Sequence, residues 1–162
     1  MSLNNSLYSS DKMDWGTPIF LFKYLNALFN FTLDACAGPT NYKHPNYFSV
    51  DMNALTRNWH GRVFLNPPYG KNIGNWISKA RQEVESGNAE CVVCLVPVRS
   101  DSKWWHANCM LANEIWLLDQ RIEFEGSTNK APFPVALIIF NGSKSSAELK
   151  TLNVRPLRER GL

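Results

Sequence analysis

The chain has 162 residues, of which 44% are hydrophobic and 19% charged, with a formal net charge of +3. That size and balance suit one domain with its own core and exclude a disordered polyelectrolyte. No apolar run approaches the ~20 residues that span a bilayer, and the polar start Met1-Ser2-Leu3-Asn4-Asn5 carries no signal pattern, so a cytoplasmic protein without a membrane partner is expected.

Residues 1–13 read as a flexible lead-in to one domain over 14–142. Thr17-Pro18 has the look of a helix start, with Thr17 as N-cap and Pro18 at the first helical position. Ile19, Phe20, Phe22, Leu25, Leu28 and Phe29 then give that helix a strong apolar face. Residues 31–34 form a short strand that runs into the small-residue turn Ala35-Cys36-Ala37-Gly38-Pro39. Residues 41–45 are loop, and 47–50 predict a second strand ending at Asp51.

Residues 61–65 (Gly61-Arg62-Val63-Phe64-Leu65) read as a buried strand, stopped by Asn66-Pro67-Pro68-Tyr69. Neither proline can donate to a ladder, and each fixes φ near −65°. An amphipathic helix over 76–85 ends at Gly87-Asn88, and residues 91–96 form a central strand closed by Pro97. Residues 102–111 predict a helix, and 114–118, 121–124 and 135–140 the last strands. From 143 to 162 a weakly basic tail holds five basic and two acidic residues, so the preceding domain is close to neutral. Such a tail fits a polyanionic partner and a solvated terminus equally well.

Helices alternating with apolar strands predict the α/β class, with a mostly parallel sheet, an antiparallel edge and helices on both faces. Ligands of such sheets bind beyond the carboxyl ends of the strands. Asp34 to Gly38, Asp51, Asn66 to Tyr69 and Pro97-Val98-Arg99 converge on that edge. Cys91-Val92-Val93-Cys94 is formally a CxxC, but it lies within a strand pattern and no second pair completes a metal set. His44, His60 and His106 have no partner at ligand spacing, so no metal is expected.

The Asn-Pro-Pro-Tyr turn is the candidate active site: rigid acceptors beside an aromatic ring, suited to a planar amine. With it come, in order, Asp14-Trp15-Gly16-Thr17-Pro18, Leu33-Asp34-Ala35-Cys36-Ala37-Gly38, Trp59-His60-Gly61-Arg62, Leu95-Val96-Pro97-Val98-Arg99-Ser100-Asp101-Ser102-Lys103-Trp104-Trp105 and Gln120-Arg121-Ile122-Glu123-Phe124. Together these blocks resemble the phage- and prophage-type DNA N6-adenine methyltransferases (the Dam-type family) over residues 14 to 141. Ala35 stands where that family often has proline, and Gln120 where it has glycine. Neither change removes a group that the chemistry needs.

The resemblance implies a single-domain, truncated Rossmann-like methyltransferase sheet that uses S-adenosyl-L-methionine on DNA. It implies that the Asn66 side-chain oxygen and the Pro67 carbonyl accept the two N–H bonds of an adenine amine, on the rigid turn that Pro68 completes. Tyr69 would stack on the base, which must leave the duplex to be reached. Phe124 or Phe133 would close the base's other face, or simply pack in the core. The cofactor would lie over Asp34, Ala35, Cys36, Ala37 and Gly38, with Trp15, Thr17 and Pro18 folded over its amino-acid end. Core filling is an equal reading for Trp15. Asp51 would accept from the ribose and Asn53 from the adenine, unless both are plain loop residues.

Lys71, Arg99, Lys103 and Arg121 would meet phosphates. Of Trp104 and Trp105, one packs while Trp105 touches DNA, or both are partly buried. Two other readings stay open: an N-methyltransferase of RNA or of a protein glutamine amide, and a non-catalytic nucleotide- or DNA-binding module on a decayed fold. The first usually carries a Gly-rich cofactor loop that Asp34 to Gly38 is not, and intact Asn66 and Tyr69 oppose the second.

Overall fold

The computed structural model describes residues 15–143 and 147–160. The expected lead-in, Asp14 and Lys144 lie outside the described residues. Helix α1 spans Ile19–Phe29 and buries Leu21, Phe22 and Leu25. It starts one residue later than Thr17-Pro18 suggested. Pro18 is itself the N-cap, and its carbonyl accepts from the N–H groups of Leu21 and Phe22, both at 3.1 Å. Thr17 is free of the capping role because its hydroxyl faces inward to Asn66. The helix ends at Asn30, whose left-handed φ of 52° lets its N–H reach the Asn26 carbonyl.

The strands are β1 (Leu33–Asp34), β2 (Gly61–Leu65), β3 (Ala89–Pro97), β4 (Glu114–Leu118), β5 (Val135–Phe140) and β6 (Glu148–Leu152). Between them run α2 (Ile73–Glu85) and α3 (Lys103–Asn108), and α4 (Arg155–Glu159) follows β6. The sheet order is β1-β2-β3-β5-β4-β6, and only β5 runs against its neighbours. The α/β class and the mostly parallel sheet are therefore as the sequence implies.

The antiparallel strand lies inside the sheet rather than at its edge, because β3 and β4 pair with its two sides and β6 extends the sheet beyond β4. Four of the five residues of β6 are exposed, so its apolar signal is weak and the sequence left it in a tail. Two expected strands are not strands. At 47–50 only Tyr47 bridges Asp34 before the chain enters a 3-10 turn, Val50–Met52. Residues 121–124 alternate buried and exposed side chains, as a strand does, but no neighbouring strand pairs with them. Helix α2 begins at Ile73, three residues before the sequence start, and the predicted helix over 102–111 is α3 followed by a 3-10 turn at Cys109–Leu111.

Phe64 of β2 points to the α1 face, where it meets Phe22 and Phe31. Alternation along the strand turns Val63 and Leu65 to the opposite face. Helices α1 and α4 pack together, and α2 packs with α3 and β3. Gly61 opens β2 at φ +74°, and a Cβ there would lie 2.4 Å from the Thr32 hydroxyl. That hydroxyl takes the N–H of Arg62 and aligns β2 with the segment before β1. Close approach at this corner sets where β1 and β2 end together.

Candidate active site

Parallel β1, β2 and β3 bring Asp34, Asn66 and Pro97 to one edge of the sheet. Because β5 is antiparallel to β3, with Val135 opposite Pro97, the residues before β5 reach the same edge. Phe133 therefore arrives there. Phe124, which follows β4, is joined to the chain's start by the N–H of Glu125, which donates to the Gly16 carbonyl at 2.8 Å. Residues 15–17 thus form a strap across the ends of β1 and β2. Gly16 permits this contact, since a Cβ there would lie 3.0 Å from Glu125 Cβ.

Asn66 lies under the strap. Its Nδ2 donates to the Trp15 carbonyl and to the Thr17 hydroxyl, the latter at 3.0 Å. Its Oδ1 is buried and, among the described residues, has no hydrogen-bond partner. A buried acceptor left unbonded is costly, and native structures hold few of them. The amide is thus fixed by its donor end and presents a bare oxygen.

Beside it opens a cavity of about 210 Å³, lined by the strap residues Trp15, Gly16 and Thr17 and by Asn66, Pro67 and Pro68. Asp34, Cys36, Ala37, Gly38, Asn41 and Lys43 line it as well. Asp34 is 2% exposed. Burial pushes its carboxyl up to about 6, against the N–H groups of Lys43 and Cys36, which donate to it at 3.0 and 3.4 Å. Among the described residues no cation is bonded directly to it, though Lys43 and His44 act on it from nearby. The Lys43 ammonium also lines the cavity and pairs with Glu125 at 2.7 Å. The cavity is therefore lined by a buried carboxylate and by a lysine whose ammonium Glu125 already pairs.

Tyr69 is only 8% exposed, so its ring is not an open platform. Its hydroxyl donates to the Leu95 carbonyl of β3 at 2.9 Å. Its ring meets Phe124 and Phe133 edge-on, with centroids 6.0 and 5.7 Å away, and Trp15 meets the same two rings at 5.2 and 5.4 Å. The Arg99 guanidinium lies over Phe133, 5.7 Å from its centroid. Four aromatic side chains therefore close around the end of the Asn-Pro-Pro-Tyr turn.

Of the residues singled out in the sequence, Trp15, Thr17, Asp34, Cys36, Ala37, Gly38, Asn66, Pro67 and Pro68 line one cavity. Ala35 and Pro18 are buried behind it. Asp51 and Asn53 are exposed and do not line it. Their neighbour Val50 does, while 91% exposed. Trp105 is 4% exposed, which removes it from any DNA-contacting surface, whereas Trp104 is half-buried. Lys71, Lys103 and Arg121 are exposed on segments that follow strands at the site's edge, and Arg99 is half-buried there. Lys43, Asn41 and Glu125 were not foreseen. They stand in loops with no pattern, and only the folded backbone brings Lys43 to Glu125, 82 positions away.

Among the described residues no three His, Cys, Asp or Glu side chains gather as a metal site, and Cys91 and Cys94 are free and buried. Nor is any helix among them long and apolar enough to cross a membrane. The family described as DNA N-6-adenine-methyltransferase (Dam) matches residues 4–154. A DNA N-6-adenine-methyltransferase of Haemophilus phage HP1 (strain HP1c1) is 30% identical over 173 residues, covering 100% of this chain and 99% of that protein. Another protein of the same description, from Escherichia phage T1, is 30% identical over 107 residues, covering 64% of this chain and 44% of the phage protein.

Proposed function

The chain belongs to the DNA N-6-adenine-methyltransferase (Dam) family, and from that membership we propose that it methylates N6 of adenine in DNA, using S-adenosylmethionine. The observation that carries this reading is that Asn66, whose buried Oδ1 has no partner among the described residues, lines the same cavity as Asp34 and Lys43. The cofactor supplies a methyl group already activated on a sulfonium. The chain's own residues have three tasks: to hold the donor, to hold the amine, and to free its lone pair.

The lone pair of N6 is delocalised into the adenine ring. Asn66 Oδ1 and the Pro67 carbonyl, aimed at the two N–H bonds, favour a pyramidal nitrogen and stabilise the positive charge that grows on it. The donor would supply the methyl group to a nitrogen so held, and one N–H proton would pass to solvent, with Asn66 Oδ1 and the Pro67 carbonyl holding the amine throughout. Asp34 would bind the donor's ammonium and Lys43 its carboxylate. Val50 would offer an apolar surface at the cavity rim. Tyr69 would stack on a base flipped out of the duplex, which requires the aromatic cluster to part. Phe133 and the Arg99 above it form the side of that cluster not tied to the strap by a backbone bond. Lys71, Lys103 and Arg121 would meet phosphates.

The test uses labelled S-adenosylmethionine with unmethylated DNA, digested to nucleosides after incubation. Label in N6-methyldeoxyadenosine is the expected result. Label only in RNA or in a protein amide, or no transfer at all, overturns the assignment.

A further inference from the structure

We propose that Thr17 is a positioning residue, which works with the Trp15 backbone carbonyl to fix the rotational state of the Asn66 amide. The inference rests on the reading of Asn66 as the acceptor for N6, and it adds what makes that acceptor an oxygen rather than an NH₂. A primary amide rotated by half a turn about its last bond exchanges its oxygen and nitrogen. At a site that must accept N–H bonds, the rotated state presents a donor to a donor. Something must select one state.

Two groups on the strap do so, by different means. The Trp15 carbonyl is an obligate acceptor, so it tolerates Nδ2 and repels Oδ1. The Thr17 hydroxyl, 3.0 Å from Nδ2, accepts the second proton. A hydroxyl alone would serve either state, and a carbonyl alone would leave one N–H without a partner. Together they bond both protons and leave Oδ1 bare. Thr17 is 2% exposed, so water cannot easily take its place.

The strap also lines the cavity assigned to the donor, through Trp15, Gly16 and Thr17. The amide lock and the cavity therefore share Trp15, Thr17 and Asn66. The strap must stay in place while a base is held, which directs access to the Phe133 side of the aromatic cluster.

The experiment compares Thr17→Val, which keeps the shape and removes the acceptor, with Thr17→Ser, which keeps the acceptor. Thr17→Ala is a second hydroxyl-free variant, used if Thr17→Val does not fold. Two readouts are taken on the full chain. The first is solvent exchange of the Asn66 side-chain amide protons in ¹H–¹⁵N spectra, with the signals assigned by their loss in Asn66→Asp. The second is kcat for methyl transfer, alongside the dissociation constant for S-adenosylmethionine.

For Thr17→Val the expectation is exchange about tenfold faster and kcat about tenfold lower, the cost of a buried donor left unpaired. The donor's dissociation constant should stay within about threefold of the parent's, and Thr17→Ser should restore both rates. Unchanged exchange in Thr17→Val overturns the lock. Faster exchange with unchanged kcat, equal losses in Thr17→Ser and Thr17→Val, or a loss confined to donor affinity overturns the positioning role. If the parent protein transfers no methyl group, the functional assignment fails, while the exchange measurement still decides whether the lock exists.

Discussion

Two buried carboxylates in this fold have opposite fates. Glu83 of α2 is 4% exposed, and its oxygens meet the Lys79 ammonium, the Asn88 amide at 2.8 Å and the Trp59 N–H at 3.2 Å. Burial pushes its carboxyl up, but those donors outweigh burial and hold it below the usual range. Asp34 is 2% exposed and has two backbone N–H groups and no direct cation, so burial wins. Two asparagines repeat the contrast. Asn113 bonds through both ends, accepting from Asn141 N–H and donating to the Ser143 carbonyl, while the Oδ1 of Asn66 is bare. Of these four groups, the two that are saturated hold the fold together, and the two short of partners line the cavity.

The sharpest way to break this contrast is Asn66→Ala. Transfer should fall by about 10³-fold, as when a preorganised charge-stabilising group is removed from an active site. Donor affinity should change only a few-fold, measured by calorimetry. A variant with near-parent rates would make the bare oxygen incidental.

Asp34→Asn comes next, and its effects should run in two directions. Donor binding should weaken by about 100-fold if the carboxylate pairs with an ammonium in a low-dielectric wall. The ligand-free protein should become more stable above pH 7. Because the folded carboxyl titrates near 6 instead of 3.8, its ionised form opposes folding above that pH, and the penalty fades as pH falls from 6 to 3.8. The full shift is worth on the order of 2–3 kcal/mol, hence a Tm gain of several degrees in the variant at pH 8 that shrinks toward pH 4. For the parent, donor affinity should drop as pH is lowered through about 6. An affinity flat from pH 5 to 8 would remove Asp34 from the donor site.

Glu83→Gln probes the saturated partner and should show the reverse signature. Stability should fall by about 3 kcal/mol, because Lys79 is left without its counter-charge in a mostly buried position. With a folded pKa below its unfolded one, Glu83 stabilises above pH 4.5 and loses that contribution as pH falls through the folded value. Kinetic constants at a temperature where the variant is folded should match the parent's. A change in donor affinity would blur the division between the two carboxylates.

Much of this site was legible in the chain because its chemistry sits at strand ends. The prolines after Leu65 mark the end of β2, and the small residues after Asp34 mark the end of β1, so both halves of the cavity could be named. Lys43 and Glu125 could not, since no periodicity governs a loop and their pairing exists only across the fold. Residues 121–124 alternate as a strand does because one side of the segment is buried, but alternation reports burial and not the presence of a paired neighbour. Strand β6 was invisible for the opposite reason: it pairs through its backbone while exposing most of its side chains. Adjacent tryptophans on a helix cannot both face the core fully, so the sequence leaves two readings, Trp105 on DNA or both rings partly buried. The helix resolved that conflict by burying Trp105 and leaving Trp104 half exposed.

Tyr69 carries the contrast into the Asn-Pro-Pro-Tyr turn itself, since its only polar atom is saturated by the Leu95 carbonyl. By the contrast drawn from the two carboxylates, that hydroxyl is expected to anchor the turn to β3 and take no part in the chemistry, leaving to the ring the stacking role proposed for it. Tyr69→Phe should therefore cost about 1 kcal/mol of stability, the net worth of one hydrogen bond, and reduce kcat by no more than a few-fold. Tyr69→Ala should lose at least ten times more activity, because base stacking on an aromatic ring is worth about 1–3 kcal/mol and the packing against Phe124 and Phe133 goes with it. Thermal melts and kcat on the same DNA separate the two contributions. If Tyr69→Phe were as inactive as Tyr69→Ala at full folding, the hydroxyl would be part of the catalytic apparatus, and saturation would no longer distinguish scaffold from site.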